Sequence, residues 1–209
     1  MRRPSVTLSY AQSLDGSLAA APGQPLALSG TEAMTFTHQL RAAHDAILVG
    51  IGTVLADNPR LTVRLVPGPD PEPIVLDSRL RFPLDANLLH PPRAPRIATT
   101  DRADLERQTL LTAAGARILR FPADEDGRVP LPALLETLAD AGVKRLMVEG
   151  GSAVITSFLL ARLVDRIALT LAPRLIGGVR AVAAPCDLPL RNVTYRPLGI
   201  DLIVEADVA

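Results

Sequence analysis

The stretch KRLMVEGGSAVITSF, residues 144–158, constrains the fold of this chain more than any other. A short apolar run at residues 146–148 predicts a buried strand, which Glu149 and two glycines bring to an end. Beyond Ser152, the apolar residues at 154, 155, 158 and 159 share one helical face. A strand, a glycine turn and a helix N-terminus let backbone N–H groups approach a phosphate, because no Cβ holds the ligand away. The competing interpretation is an ordinary strand-to-helix turn without a ligand. Two other turns in the sequence help to decide between the two interpretations.

Two further apolar strands end in similar turns. The run DAILV leads into GIGT at residues 50–53, and the run IVL leads into DSR at residues 77–79. In an open parallel sheet, ligands bind at the carboxyl ends of the strands, where such turns supply N–H and hydroxyl donors. Three turns of one kind therefore predict a dinucleotide that lies across neighbouring strand ends. No G-x-G-x-x-G sequence follows the first strand, which excludes a standard Rossmann unit.

The remaining pattern predicts an α/β fold in a single domain over residues 1–209. Strands alternate with helices and are followed by strands alone, which indicates a mostly parallel sheet with an antiparallel C-terminal edge. The predicted strands, besides 146–148, are 5–11, 45–49, 61–66, 74–76, 96–99, 116–121, 164–171, 192–197 and 199–205. The predicted helices are 31–43, a short turn to 57, 103–113 capped by Asp101, 130–141 and one from 152. Residues 81–95 are rich in proline and are predicted to be irregular.

Composition narrows the classes of function. The formal net charge is zero and aromatic residues make up 3%, which argues against nucleic acid or an anionic membrane as a partner. The single cysteine, Cys186, allows neither an intrachain disulfide nor a thiolate zinc site, and the three histidines have no partner at ligand spacing. We therefore expect no metal. Without a signal peptide or an apolar run of about 18 residues, a cytoplasmic location is expected.

Five segments resemble the reductase domain of riboflavin biosynthesis, which in bacteria usually forms the C-terminal half of a bifunctional pyrimidine deaminase–reductase. They are SLDG at 13–16, LRAAHDAILVGIGTVLADNPRLTVR at 40–64, LDSRLRFP at 76–83, VEGG at 148–151 and LVDRIALTLAPRLIGG at 163–178. The resemblance implies a fold similar to dihydrofolate reductase. It also implies reduction, with NADPH, of a phosphoribosylamino-pyrimidine to its ribitylamino form. The deaminase motifs are missing, so a free-standing reductase is expected.

The resemblance assigns roles to individual residues. Those implied for the cofactor are Ala11, Thr53, Asp57, Ser78, Gly150, Gly151, Ser152, Ala153 and Val154. Those implied for the substrate are Arg41, Leu61, Arg64 and Glu149. Two arginines suit a 5′-phosphate because guanidinium offers paired donors. Glu149 would hydrogen-bond the substrate or act as the catalytic proton relay.

Competing interpretations remain for several of these residues. Asp57 also suits a cap before Pro59, and Arg41 also suits a solvated charge on a helix face. The chain departs from the family where Ser17 replaces a usual basic residue, and where a loop around Ala27 lacks the common Ser-x-Trp.

There are two alternative functions. One is a paralogous NADPH reductase of another pterin, pyrimidine, carbonyl or imine compound, and the other is a non-catalytic nucleotide-binding protein. The apolar final strands predict a homodimer, with the edge of the core as the alternative.

Overall fold

The computed structural model describes residues 2–90 and 94–209, and these residues form a fold around one nine-stranded sheet. The strands are β1 Ser5–Ser13, β2 Ser17–Ala19, β3 Ala46–Gly50, β4 Glu72–Leu76, β5 Arg96–Thr100, β6 Arg117–Phe121, β7 Arg145–Gly150, β8 Arg166–Ala172, β9 Val179–Arg180, β10 Leu190–Leu198 and β11 Asp201–Val208. The helices are α1 Thr31–Ala42, α2 Ile51–Asp57, α3 Leu105–Ala113, α4 Leu131–Asp140 and α5 Ser152–Leu160, with a 3₁₀ turn at Asn87–Leu89.

The strand order across the sheet is β10-β11-β8-β1-β7-β3-β4-β5-β6. The seven strands from β8 to β6 are parallel, whereas β11 pairs with β8 and β10 pairs with β11 in the antiparallel sense. The predicted fold, a mostly parallel α/β sheet with an antiparallel C-terminal edge, is confirmed. Because β1, β3, β4 and β7 run in the same direction, the turns that follow them lie at one edge of the sheet.

Apolar layers cover both faces of the sheet. Helices α4 and α5 pack on one face through Leu134, Leu138 and Phe158, all with no exposed surface. The other face carries α2 and α3, and α1 extends that layer over β8 and β11 through Phe36. Strand β3 is buried on both faces, which explains why it reads as a continuous apolar run rather than an alternating one.

The segment 61–66 is not the strand that its composition predicted. Leu61 has a positive φ of 54°, and residues up to 64 have no regular structure. The cap of α3 is also Asp104 rather than Asp101, since the Asp104 carboxylate accepts the Glu106 N–H at 2.8 Å. The short pair β2–β9 was not predicted. The prediction of irregular structure at 81–95 includes residues 91–93, which lie outside the described residues.

Candidate functional site

A pocket of about 500 Å³ opens at the carboxyl ends of β1, β3 and β7. Its floor is formed by the ends of these strands and the first turns of α2 and α5. Its walls are the loop 21–29 and one face of α1. This volume is typical of small-molecule sites. The pocket therefore lies at the edge of the sheet where the glycine turns predicted a ligand.

We name one wall the glycine side: residues 50–53, residues 151–154 and the segment 176–183. The turns approach closely, since a Cβ on Gly50 would lie 2.7 Å from Val154 Cγ2 and one on Gly151 would lie 3.4 Å from Thr53 Oγ1. The N–H groups in the first turn of α5 have no intrahelical acceptor and are available to a ligand. The structure thus places small residues and free backbone donors side by side.

The predicted cofactor residues fall into two groups. Those that line the pocket are Ala11, Thr53, Asp57, Gly151, Ser152, Ala153 and Val154. Ser78 and Gly150 do not line it; the Ser78 carbonyl instead accepts the Thr100 hydroxyl at 2.9 Å. The Ser152 hydroxyl donates to the Arg180 carbonyl at 2.6 Å, which leaves its backbone N–H for a ligand. Desolvation at the pocket wall raises the pKa of Asp57.

The segment 176–183 is fixed to the glycine side by side chains from elsewhere in the chain. The two oxygens of Asp15 accept the N–H groups of Ile176 at 2.9 Å and Gly177 at 2.7 Å, besides two hydroxyls of its own turn. The hydroxyl of Ser13 and these backbone donors hold the pKa of Asp15 far below its ordinary value. Thr156 on α5 accepts the Ala183 N–H at 2.9 Å. Asp15 therefore joins the turn after β1 to the wall that carries Val179.

We name a second group of residues the arginine side: Arg41 and Glu149, which line the pocket, and the segment 61–64, which adjoins Arg41. Arg41 donates from Nε to Glu149 Oε1 at 2.7 Å and from Nη2 to Oε2 at 2.8 Å. Its Nη1 donates to the Thr62 carbonyl at 3.1 Å. Burial lowers the pKa of Arg41, but the charge and hydrogen bonds of Glu149 outweigh that effect and the net shift is upward. Both side chains line the pocket and are mostly buried, with exposed fractions of 11% and 15%.

The segment 61–64 adjoins Arg41 without lining the pocket itself. Arg64 has an exposed guanidinium whose Nη1 donates to the Thr62 hydroxyl at 2.8 Å. Partial burial lowers the pKa of Arg64, and the positive charges of Arg41 and Arg60 lower it further. Leu61 is buried in the core at 4% exposure. The guanidinium groups of Arg41, Arg60 and Arg64 outnumber the carboxylates of Glu149 and Asp70 here. The net positive charge beside the pocket would stabilise an anion.

One pocket wall follows from the family resemblance, since the loop around Ala27 stands where the family's Ser-x-Trp covers the site, and the loop 21–29 lines the pocket. Sequence reasoning missed Leu18, Ala19 and Val179 on the β2–β9 pair, which also line it. Met34 and Thr37 line it from α1 together with Arg41. Positions 34, 37 and 41 are separated by three and four residues, so helical spacing from Arg41 would have identified them.

No three histidine, cysteine, aspartate or glutamate side chains in ranges 2–90 and 94–209 are grouped so as to hold a metal ion. Within the same ranges, no helix has the length and apolar character required to cross a membrane.

Residues 4–204 match the family model described as the RibD C-terminal domain. A 2,5-diamino-6-ribosylamino-4(3H)-pyrimidinone 5′-phosphate reductase of Methanothermobacter thermautotrophicus is 40% identical, with 99% of each chain covered. The riboflavin biosynthesis protein RibD of Aquifex aeolicus is 35% identical over 97% of this chain. This chain spans 57% of the length of that relative.

Solved structures show the same fold. RibD of Acinetobacter baumannii superposes with a TM-score of 0.86 and 27% identity, covering 100% of this chain and 59% of that one. Dihydrofolate reductase of Enterococcus faecalis, in complex with NADP(H), superposes with a TM-score of 0.59 at 14% identity, over 98% of this chain and 99% of that one. The predicted likeness to the dihydrofolate reductase fold is confirmed.

Proposed function

The chain belongs to the RibD C-terminal domain family, and from this premise we propose that it is a reductase of riboflavin biosynthesis. The proposed reaction converts 5-amino-6-(5-phosphoribosylamino)uracil, or its 2,5-diamino precursor, to the ribitylamino product at the expense of NADPH. The observation that carries the proposal is the pocket itself, which has backbone donors on its glycine side and the Arg41–Glu149 pair on its arginine side, with the exposed guanidinium of Arg64 nearby. Relatives named as this reductase support the substrate class.

The glycine side fits a dinucleotide. A Cβ on Gly50 would clash with Val154, and one on Gly151 would contact Thr53. The two glycines therefore let α2 and α5 approach each other closely and leave the backbone of these turns uncovered by side chains. We assign the phosphates to the N–H groups at the start of α5 and to the Thr53 hydroxyl. Asp57 faces the pocket from α2, and as a carboxylate it suits an amide or ribose hydroxyl rather than a phosphate. Ala11 on β1 offers backbone groups at the opposite end.

NADPH, when bound, supplies the hydride. The ring-opened sugar of the substrate carries a C=N bond, so hydride addition to C1′ and protonation of the nitrogen give the ribitylamine. The protein would hold the substrate and the cofactor together and away from bulk water, which would remove much of the entropic barrier. The loop 21–29 and one face of α1 enclose the pocket in which they would lie.

The arginine side fits the sugar phosphate and the pyrimidine. We assign the phosphate to Arg64, whose guanidinium is exposed among like charges. Arg41 already donates to Glu149 and to Thr62 from all three of its nitrogens, so its part is to shape this wall and to add positive charge. The Leu61 backbone begins the segment. Ser78 and Gly150 lie outside the pocket, and we assign them to the support of the cofactor turns.

Glu149 accepts both hydrogen bonds from Arg41, which is the arrangement of an anion. We propose that it receives hydrogen bonds from the substrate's hydroxyl or amino groups. In its proposed catalytic role, Glu149 would take up a proton from water and pass it to the nitrogen of the substrate's C=N bond. Because Glu149 is paired with Arg41, the proton comes from solvent in this scheme.

The assembly and location remain predictions. We propose a cytoplasmic homodimer formed through the C-terminal strands. Strand β10 forms the edge of the sheet and exposes Tyr195 at 68%, and such edges pair readily with a second chain. Light scattering after gel filtration measures the mass directly; a monomer at micromolar concentration would contradict the dimer.

The function is tested by following NADPH consumption with each of the two pyrimidine substrates. We expect turnover with at least one of them. Arg64→Ala should raise the KM for the pyrimidine about ten-fold, as for the loss of one charged contact, and leave the Kd of NADPH unchanged. Arg128→Ala, an exposed arginine remote from the pocket, is the matched control.

Two outcomes would contradict the proposal. NADPH binding with turnover of other imines or carbonyls, but of neither pyrimidine, would favour a paralogous reductase. The small residues of the loop 21–29, which replace the family's tryptophan, are the feature consistent with that alternative. Binding of NADPH without any turnover would indicate a nucleotide-binding protein.

A further inference from the structure

Three consecutive residues on the arginine side have their backbone held by side chains. The Thr62 carbonyl accepts Arg41 Nη1 at 3.1 Å, and the Val63 N–H donates to Asp70 Oδ1 at 2.6 Å. The Arg64 N–H donates to His38 Nδ1 at 2.8 Å. No strand ladder fixes this segment, so its position depends on these three contacts. The contact to His38 is made by Arg64, the residue to which the proposed function assigns the substrate's phosphate.

His38 is buried in α1 at 1% exposure. Its Nδ1 accepts a hydrogen bond, so the hydrogen of the neutral ring resides on Nε2. Nε2 is buried and has no partner within the described part of the chain. A buried donor without a partner costs free energy, and a leucine of similar size would fill the same space without that cost. The hydrogen bond to Arg64 is therefore the one polar interaction that the ring makes here.

We propose that His38 is a positioning residue for the anion end of the site, where its Nδ1 fixes the backbone of Arg64 so that the guanidinium meets the substrate's phosphate. This inference rests on the proposed function for the identity of the phosphate. His38 touches neither substrate nor cofactor in this assignment and acts through Arg64. The chemical class of ligand is a sugar phosphate.

The charges around His38 make this contact dependent on pH. The groups that face it are Arg41 on the same helix, Arg64 and Asp70 on the opposing segment, and Glu149 at the end of β7. Burial lowers the pKa of His38, and Arg41 and Arg64 lower it further, against the opposing effect of the two carboxylates. The neutral ring therefore persists at neutral pH. Protonation would convert Nδ1 from an acceptor to a donor and release the Arg64 N–H.

Three substitutions at one position separate this role from simple core packing. Asn places its side-chain oxygen near the position of Nδ1, Gln places its amide near Nε2, and Leu provides neither. We expect His38→Leu and His38→Gln to raise the KM for the phosphorylated pyrimidine about ten-fold with little change in kcat. His38→Asn should restore most of the affinity. His90→Asn, at an exposed histidine, is the control.

A double-mutant cycle tests whether His38 acts through Arg64. If it does, His38→Leu should raise KM about ten-fold in the wild type and less than two-fold in the Arg64→Ala background. Equal effects in both backgrounds would overturn the inference. The inference would also be overturned by a His38→Gln variant that binds substrate as well as His38→Asn does.

In the wild type, KM should rise as the pH falls through the lowered pKa of His38, and this rise should be absent in His38→Asn.

Calorimetric binding of ribose 5-phosphate separates this inference from the proposed function. Wild-type protein should bind the compound, and His38→Leu should lose about ten-fold in affinity. If wild type binds ribose 5-phosphate in this way but reduces neither pyrimidine, the positioning role stands and the proposed function fails. If ribose 5-phosphate binds equally well to wild type and His38→Leu, the inference is wrong even where the reductase activity is present.

Discussion

The two walls of the pocket are built by different means. On the glycine side, backbone packs against backbone or short side chains, as where the site for a Gly178 Cβ lies 2.0 Å from the Ala19 carbonyl oxygen. On the arginine side, long charged side chains pair with each other and support an irregular segment, as in the pair Arg41–Glu149. One wall is therefore defined by steric limits, and the other by charge and hydrogen bonding.

Because of this difference, the two walls should tolerate different kinds of substitution. Backbone that touches backbone has no rotamer with which to relieve an added methyl group, so the cost appears in folding. A paired charge can be replaced together with its partner at modest cost, whereas removal of one member leaves the other uncompensated. Substitutions on the glycine side should therefore act independently of their neighbours, and those on the arginine side should be strongly coupled.

Gly178→Ala should have the largest effect. The new methyl group would lie 2.0 Å from the Ala19 carbonyl and 2.8 Å from the Ala20 Cα, so β2 and β9 would have to separate. We expect a loss of about 3 kcal/mol or more in the free energy of unfolding. In a chain of this size that loss corresponds to a decrease of roughly 6–12 °C in Tm, measured by calorimetry.

Gly52→Ala provides the steric control for that measurement. A Cβ at Gly52 meets no atom within 4 Å, and the residue lies in α2, where alanine is the better helix former by about 1 kcal/mol. Its Tm should remain the same or rise. A Gly178→Ala protein as stable as the wild type would show that the backbone of the glycine side can move, and the contrast between the walls would lose its basis.

The glycine side could be predicted from sequence because its signals are local. The turns at 50–53 and 151–154 follow apolar strands directly, and parallel strands bring such turns to one edge. The exceptions are informative. Ser78 lies in a similar turn, but this turn follows β4, which is one strand further from the pocket than β3. Ser78 therefore does not line the pocket. The Ser152 hydroxyl is used by Arg180, which is 28 positions away in sequence and outside any local pattern.

The arginine side was less predictable because long-range contacts decide it. Residues 61–65 alternate apolar and polar side chains as a strand would, yet side chains from residues 38, 41 and 70 hold the backbone of residues 62–64 instead. Arg41 was identified as a residue of the site, but its pairing with Glu149, 108 positions away, has no signature in a single sequence. The loop 21–29 was expected at the site from the family resemblance alone, because its residues show no evident chemistry of their own.

Breaking the pair Arg41–Glu149 should have the next largest effect. Arg41→Leu leaves a mostly buried carboxylate without its partner, and we expect a loss of about 2–3 kcal/mol in the free energy of unfolding. This is below the roughly 3–5 kcal/mol of a fully buried pair because the pocket admits water. Denaturant titration measures it. In the double variant with Glu149→Leu the combined loss should be smaller than the sum of the single losses, and additive losses would contradict a coupled wall.

Thr53→Val should have the smallest effect and test the cofactor assignment alone. Valine has the same shape as threonine, and Thr53 lines the pocket from α2, so the Tm should be unchanged. The loss of one donor to a phosphate should weaken NADPH binding about ten-fold, or ~1.4 kcal/mol, as measured by fluorescence or calorimetric titration. Thr109→Val, at an exposed threonine on α3, is the matched control and should bind NADPH as the wild type does.

An unchanged Kd for Thr53→Val would remove the hydroxyl from the cofactor site and leave the backbone N–H groups of α5 as the sole phosphate donors on that wall. If instead Kd and Tm both changed, Thr53 would be a packing residue, and the glycine side would be coupled in the way that we assign to the arginine side.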